Sequence, residues 1–175
     1  PIFIDGEEKV EPRRAPDNGS DDPSSLVRCS SSVNRMTSTA DKARELLRLH
    51  ADPELLVLVN VWDVVTAKVV AATPGIRAIA TASHSIAASL GYPDGEVIPR
   101  EEMIAAVGRI VAAVDLPVTA DLEAGYGDPG ETVRRAIEVG AVGMNLEDQL
   151  KPLPDAVAAV SAAVAAGDAL GVPFV

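Results

Sequence analysis

The sequence predicts an α/β domain in which parallel strands alternate with helices. Short apolar runs and stretches of helical periodicity follow each other from residue 39 onward, as repeated strand–helix units require. Apolar residues make up 47% of the 175-residue chain and aromatic residues only 3%, so the core is expected to be aliphatic, as buried parallel strands favour. The spacing fits either an open doubly wound sheet or a closed eight-stranded barrel.

Four strands and the start of a fifth are predicted from short aliphatic runs that lie next to turn residues. They cover residues 55–59, 78–81, 117–121, 143–147 and 173–175. The first run is continuously apolar, which is typical of a strand that is covered on both faces.

Helices are predicted before and between these strands. The first follows a cap at Ser38 or Thr39, and Asp63 can cap a second helix that ends near Ala72. Apolar residues at intervals of three and four predict three more. The segments concerned are residues 100–114, a helix that ends at Gly140, and a helix striped by Val157, Val160 and Val164 that ends near Gly171.

The first 38 residues differ in composition from the rest of the chain. Residues 12–25 contain three prolines, three serines and three aspartates, and carry too little apolar surface to offset the entropy lost on ordering. Met36 stands just before the first helical pattern. Two interpretations are open, a flexible tail or a stretch translated ahead of a start at Met36, and we favour the second. We therefore predict a disordered or non-native leader over 1–38 and a folded domain over 39–175.

Composition excludes several classes of function. The formal net charge of -11, with 26 acidic and 15 basic side chains, disfavours binding to nucleic acids and to anionic membranes. The single Cys29 can form neither an internal disulfide nor a thiolate metal cage. No apolar run approaches the roughly 18 residues of a membrane span, and no signal peptide is visible. We expect a soluble, cytoplasmic protein.

Polar or acidic residues follow the first four predicted strands, and the carboxyl ends of parallel strands are where such folds build their sites. Asp121 and Glu123 end the third strand, and Glu147 ends the fourth. If these strands are neighbours, the three carboxylates converge, which raises one pKa or requires a cation. An all-oxygen ligand set favours Mg²⁺ or Mn²⁺. From spacing alone, solvated loop acids or helix caps explain these residues equally well.

Four segments together resemble one enzyme superfamily. Residues 60–63, 80–95, 117–127 and 143–148 have the order and spacing of the isocitrate lyase / phosphoenolpyruvate mutase superfamily, and the resemblance runs from about residue 40 to residue 175. It implies a (β/α)₈ barrel with Mg²⁺ at the carboxyl rim. It also implies a homo-oligomeric enzyme whose substrate is a small carboxylate. Such enzymes make or break C–C or P–C bonds beside the enolate of a 2-oxo acid, or hydrolyse oxaloacetate.

The resemblance also implies a role for individual residues. Asp121 corresponds to the direct metal ligand, while Glu123 and Glu147 correspond to acids that hold the ion largely through water. The positions that would bind the substrate carboxylate or form the turn beside the metal are Thr81, Ser83, His84, Gly125 and Gly127. The catalytic positions are Asp94, Glu123 and Tyr126.

Simpler interpretations stand beside these roles. His84 can be a surface histidine, Tyr126 can pack against its turn, and Asp94 belongs to an Asp-Gly turn on any interpretation.

Three departures from the superfamily pattern narrow the expected chemistry. Glu123 stands where many relatives carry Asp, and Ala82 replaces a common serine. Residues 147–154 contain neither the cysteine nor the histidine of the lid motif found in the lyases. The sequence therefore resembles the mutase-like branch, and cleavage of isocitrate or methylisocitrate with a cysteine acid is disfavoured. The expected activity is that of a carbon–carbon lyase or a phosphonomutase-like enzyme.

A full barrel of this kind takes about 250 residues, so residues 39–175 are expected to form an incomplete barrel of four to five strand–helix units. Three explanations are open: a partial sequence of a longer enzyme, a degenerate gene product, or a half-barrel that closes by self-association. We favour the first, and expect weak or no activity from this chain alone. The alternative function is a non-catalytic fragment or assembly module.

Overall fold

The computed structural model describes residues 38–175. Their four parallel strands are β1 (Val59–Val61), β2 (Ile79–Thr81), β3 (Val118–Asp121) and β4 (Gly143–Asn145). Their helices are α1 (Thr39–His50), α2 (Val64–Ala71), α3 (Ser83–Ser89), α4 (Arg100–Ala112), α5 (Pro129–Glu138) and α6 (Leu153–Ala169). Apart from Ser38, the predicted leader, including Cys29, lies outside the described residues.

The strands lie side by side in chain order, β1-β2-β3-β4. A doubly wound sheet reverses its strand order at a switch point, whereas a barrel wall adds each new strand to the same edge. Of the two folds that the spacing allowed, the order therefore selects the barrel, and the sheet is an arc of its wall.

The register assigns side chains to the two faces of the sheet. Register partners in a parallel sheet point to the same side, and side chains alternate along each strand. The face turned away from α4 carries Asn60, Ala80, Thr119, Asp121, Gly143 and Asn145.

The other face of the sheet, which carries Val61 and Ile79, packs against α4 and forms the main core. Val61, Ile79, Val118 and Ala120 are buried there together with a stripe of α4 made of Met103, Val107 and Ile110. This stripe has the three-and-four spacing that predicted the helix. The strand that ends at Asp121 thus lies on a buried apolar core.

Helix α1 packs at the amino ends of β3 and β4. Its Lys42 Nζ donates to the carbonyl oxygen of Val114, 3.3 Å away, and its buried Leu46 lies where a side chain on Gly143 would project. The predicted caps are confirmed at both early helices. Ser38 Oγ accepts from the Asp41 N–H, and Asp63 forms a reciprocal capping box with Thr66.

Some predicted boundaries are wrong in ways that have physical causes. The first strand was expected over 55–59, but β1 begins at Val59, because the ladder to β2 pairs only residues 59–61. Leu55 and Val57 are exposed, so this run is not covered on both faces. Helix α3 was not predicted, and its N-cap, Ala82, offers no side-chain bond that could have marked it.

Helix α6 and the residues that follow it also differ from the prediction. In α6 the predicted valine stripe is more than half exposed, and the buried residues are Ala163, Ala166 and Gly167. Beyond it, the Val175 N–H donates to the carbonyl oxygen of Val142, just before β4. The Val175 carbonyl oxygen accepts from the Met144 N–H in β4, although no strand forms there. These bonds lie where the start of a fifth strand was predicted.

Among residues 38–175, no helix combines the length and the apolar composition needed to cross a membrane.

Candidate active site

Asp121, the last residue of β3, is bonded to the end of β2. Its Oδ2 accepts from both the N–H and the hydroxyl of Ser83, at 2.9 and 2.6 Å. Its own N–H donates to Thr81 Oγ1 at 3.0 Å. Thr81 and Ser83 are buried, whereas Asp121 is only half-buried. Three of the predicted site residues therefore form one unit that fixes the orientation of the Asp121 carboxylate.

The second oxygen of Asp121 is much less engaged. Oδ1 accepts a long bond of 3.4 Å from the Glu123 N–H. A carboxylate held by one oxygen and open at the other is the usual arrangement of an oriented ligand or general base, since outer bonds fix the group that meets the substrate or ion.

Glu123 is buried, with 3% of its surface exposed. Its Oε1 accepts from the Tyr126 hydroxyl at 3.1 Å, and its Oε2 accepts from the Glu96 N–H. Burial raises the pKa of the Glu123 carboxyl, and the nearby acids Asp94 and Glu96 add to the rise, although the two hydrogen bonds oppose it. Burial and the Glu123 charge also raise the pKa of the Tyr126 phenol. Tyr126 therefore stays protonated and keeps donating to Glu123.

Glu96 is a site residue that sequence reasoning missed. Its Oε1 accepts from the N–H groups of Ala124 and Tyr126, at 3.1 and 2.6 Å. It lies 28 residues before Ala124 in the chain, and its sequence context, an Asp-Gly turn, indicates only a turn. The one sequence signal that could have indicated Glu96 is its position two residues after another acid, Asp94.

Left-handed backbone is concentrated at this site. Glu96, Glu123 and Tyr126 have φ angles of 59°, 52° and 55°, a conformation that costs a non-glycine residue roughly 1–2 kcal/mol. Such strain persists where neighbouring contacts enforce it, and it clusters at functional sites.

The two glycines predicted for the substrate turn shape this loop. Gly125 also has a left-handed backbone, and an added Cβ there would lie 2.9 Å from the Pro129 Cα. Gly125 is therefore required by both conformation and space. Gly127 is also left-handed but has open space around it.

β3 and β4 are neighbours, as the convergence of the acids requires. The ladder continues past both strands, since the Leu122 N–H donates to Asn145 and the Glu147 N–H donates to the carbonyl oxygen of Glu123 at 2.7 Å. Glu147 thus follows the strand tip next to that of Asp121, and its side chain is exposed.

The three predicted metal ligands are not gathered into one close group among the described residues. Within residues 38–175, no three His, Cys, Asp or Glu side chains are grouped closely enough to hold a metal ion. One oriented aspartate with an open oxygen and other acids nearby fits an ion that keeps most of its waters, as Mg²⁺ does. The metal role of Asp121, Glu123 and Glu147 stays a prediction.

His84 and Asp94 lie apart from this bonded cluster. Their exposed side chains contact each other, with His84 Nδ1 3.4 Å from Asp94 Oδ2. His84 directly follows Ser83 in the first turn of α3, and Asp94 precedes Glu96 by two residues, so both are tied through the backbone to residues that contact the cluster.

Comparison with known proteins adds an independent finding. The family described as phosphoenolpyruvate phosphomutase matches residues 46–175. The 2,3-dimethylmalate lyase of Eubacterium barkeri is 35% identical over 119 residues, which are 66% of this chain and 40% of that protein. The petal death protein of Dianthus caryophyllus is 34% identical over 143 residues, which are 79% of this chain and 44% of that protein.

Solved structures agree with these relatives. A "putative phosphonomutase" from Burkholderia cenocepacia J2315 superposes with a TM-score of 0.73 at 44% identity, over 77% of this chain and 58% of that one. Oxaloacetate acetylhydrolase superposes with a TM-score of 0.69 at 29% identity, over 79% of this chain and 51% of that one. The chain thus spans between 40% and 58% of the length of these four proteins. The predicted fold, an incomplete (β/α)₈ barrel, is confirmed.

Proposed function

Because the chain belongs to the phosphoenolpyruvate phosphomutase family, whose relatives include lyases and mutases of small oxo acids, we propose that it carries the metal-binding rim of an Mg²⁺-dependent enzyme. The reaction would form or use the enolate of a small 2-oxo acid, with cleavage or formation of a C–C or P–C bond.

The observation that carries this proposal is the Asp121 carboxylate. It stands at the carboxyl end of a barrel strand, where enzymes of this fold place their chemistry. The two bonds from Ser83 and the backbone bond to Thr81 hold it in one orientation. These bonds leave Oδ1 with only the long bond of 3.4 Å from the Glu123 N–H.

Asp121 would hold the ion directly, and Glu123 and Glu147 would hold its waters. When bound, Mg²⁺ supplies positive charge that polarises the 2-oxo group and stabilises the enolate. The Ser83 N–H and hydroxyl are both bonded to Asp121, so Ser83 positions the metal ligand. This leaves exposed His84, on the same turn, as the side chain that would meet the substrate carboxylate.

Tyr126 and Glu123 form the proton-handling part of the proposed site. The raised pKa of the phenol keeps a proton on Tyr126 Oη, which donates to Glu123 Oε1. The raised pKa of Glu123 makes this carboxyl a better proton acceptor than an exposed glutamate. Glu123 would therefore accept or return the proton of the reacting acid, while the tyrosine orients it.

The test is Mg²⁺ titration calorimetry, with and without oxalate, a dicarboxylate that serves as a probe for the enolate of a 2-oxo acid. We expect Asp121→Asn to weaken Mg²⁺ binding by about 100-fold or more, since it removes the direct ligand. Asp115→Asn is the matched control, because Asp115 precedes the same strand at its opposite end and is exposed. Equal Mg²⁺ affinity of Asp121→Asn and the unsubstituted chain would refute the metal assignment.

A substrate screen extends the same test. Phosphonopyruvate, oxaloacetate and methylisocitrate separate P–C chemistry from C–C hydrolysis and cleavage. Turnover of methylisocitrate would contradict the expected mutase-like branch.

A further inference from the structure

Two loops at the carboxyl rim exchange hydrogen bonds in both directions. The Glu96 carboxylate accepts from the N–H groups of Ala124 and Tyr126, in the loop after β3. In return, the Glu123 carboxylate of that loop accepts from the Glu96 N–H. We call these three bonds the glutamate exchange.

The three hydrogen bonds of the glutamate exchange are stronger than hydrogen bonds between neutral groups. A carboxylate that accepts from backbone N–H groups makes charge-assisted bonds, roughly twice as strong as neutral ones. Both acceptor groups are shielded, since Glu123 is buried and Glu96 is partly buried, and shielding strengthens such bonds.

The exchange also accounts for the strained backbone. Each glutamate and Tyr126 adopts a left-handed conformation, which is unfavourable unless other contacts enforce it. All three residues belong to the exchange, either as acceptor or as donor, so the bonds and the strain occur at the same places.

Apart from the exposed contact between Asp94 and His84, the loop that contains Glu96 would otherwise be fixed only near its ends. At one end, Tyr92 donates through its N–H to Ala87 and through its hydroxyl to Glu102. At the other end Ile98 is buried in the main core. Asp94 lies between these anchors, and its side chain is exposed. The exchange supplies the anchor in the middle of the loop, two residues after Asp94.

We propose that Glu96 is a positioning residue of the site. It holds the Asp94 loop against the loop after β3, so that Asp94 and the Glu123–Tyr126 pair share one rim with Asp121. The inference rests on the proposed function for its catalytic meaning, but the docking of the two loops is independent of it.

The length of the Glu123 side chain is also needed for this contact between the two loops. Its carboxylate reaches the Glu96 N–H and the Tyr126 hydroxyl at once. An aspartate is one methylene shorter, so Glu123→Asp should break at least the bond to Glu96 while keeping the charge. A glutamate at this position is therefore explained by the loop it must reach.

The experiment measures amide hydrogen exchange on the full chain. We expect Glu96→Ala to speed exchange of the Ala124 and Tyr126 amides by about tenfold or more, because their acceptor is lost. Hydrogen exchange of the backbone amide at position 96 should become faster as well, because its loop is no longer held against the loop after β3. Glu96→Gln keeps an acceptor oxygen and should restore most of the protection. Glu101→Ala, an exposed acid five residues on, is the control and should change nothing.

The site readout is calorimetric binding of oxalate in the presence of Mg²⁺. Glu96→Ala should weaken oxalate binding several-fold, and Glu96→Gln should recover it. Unchanged amide hydrogen exchange in Glu96→Ala would overturn the positioning role. Faster amide hydrogen exchange with unchanged oxalate affinity would also overturn it. If Glu96→Ala does not fold, Glu123→Asp decides the point, since it must speed exchange of the Glu96 amide. Failure of the unsubstituted chain to bind Mg²⁺ and oxalate would instead defeat the proposed function, whatever the exchange data show.

Discussion

The two ends of the sheet are built in opposite ways. At the carboxyl ends, Glu96, Glu123 and Tyr126 hold left-handed backbone, and one carboxylate is buried. At the amino ends of β3 and β4, α1 packs apolar side chains, led by Leu46 and Leu49, into a second core. The same strands therefore support a strained polar rim at one end and an unstrained apolar base at the other.

This difference teaches where stability and function are separated in the fold. The rim contains groups whose conformation is unfavourable by itself, and its bonds are mostly between loops. The base contains fully buried aliphatic groups, which are the main source of folding free energy. Substitutions at the base should therefore change stability, whereas substitutions of rim side chains should change binding first.

The largest expected effect on stability is at the base. Leu46→Ala should lower the free energy of unfolding by about 2–5 kcal/mol, because it leaves a cavity against Gly143 in a closed core. Leu47→Ala is the matched control on the same helix, since Leu47 is 51% exposed and Leu46 is fully buried. Chemical denaturation of both variants gives the comparison. Equal losses would contradict the assignment of α1 to the base.

A smaller loss is expected at the rim when its backbone is substituted. Gly125→Ala should cost about 2–3 kcal/mol, since it adds both left-handed strain and a contact with Pro129. Gly75→Ala is matched in backbone, because both glycines have φ of 88°, but Gly75 has open space around it.

The control should therefore cost only about 1 kcal/mol, from strain alone. Denaturant titration measures both values. If the two variants are equally destabilised, the rim is not tightly packed at Gly125.

The parts of the fold that could be predicted from the sequence depend on local signals. The stripe of α4 and the caps at Ser38 and Asp63 involve residues three or four apart, so periodicity and capping chemistry predict them. The position of Asp121 at the end of a strand follows from the apolar run before it, and the pairing of β3 with β4 meets the condition under which the acids converge. These predictions are confirmed by the structure.

The remaining features depend on contacts between distant segments. The bonds of Glu96 join residues 28 and 30 apart, and no propensity of glutamate indicates left-handed backbone at Glu96 or Glu123. The start of β1 depends on which residues find partners on β2. Such contacts are set by tertiary packing, which overrides local preference.

The smallest expected effect concerns Asp63, and it distinguishes this helix-capping acid from the site acid Asp121, which lies at the same rim. Asp63 follows β1 and caps α2, where the Thr66 N–H and then the Thr66 hydroxyl lower the pKa of its carboxyl. A pKa lower in the folded state than in the unfolded state stabilises the fold above the unfolded pKa, about 3.9, and this contribution is lost as the pH falls through the folded value. Asp63→Asn keeps a capping oxygen but does not titrate.

The stability difference between the unsubstituted chain and Asp63→Asn should therefore be constant near neutral pH and shrink as the pH falls below about 4. Urea unfolding of both proteins from pH 7 to pH 3 measures it. A difference that grows toward low pH would show that Asp63 is not held as a charged cap, and it would then join Asp121 as a candidate for the site. A shrinking difference identifies Asp63 as a charged cap of α2.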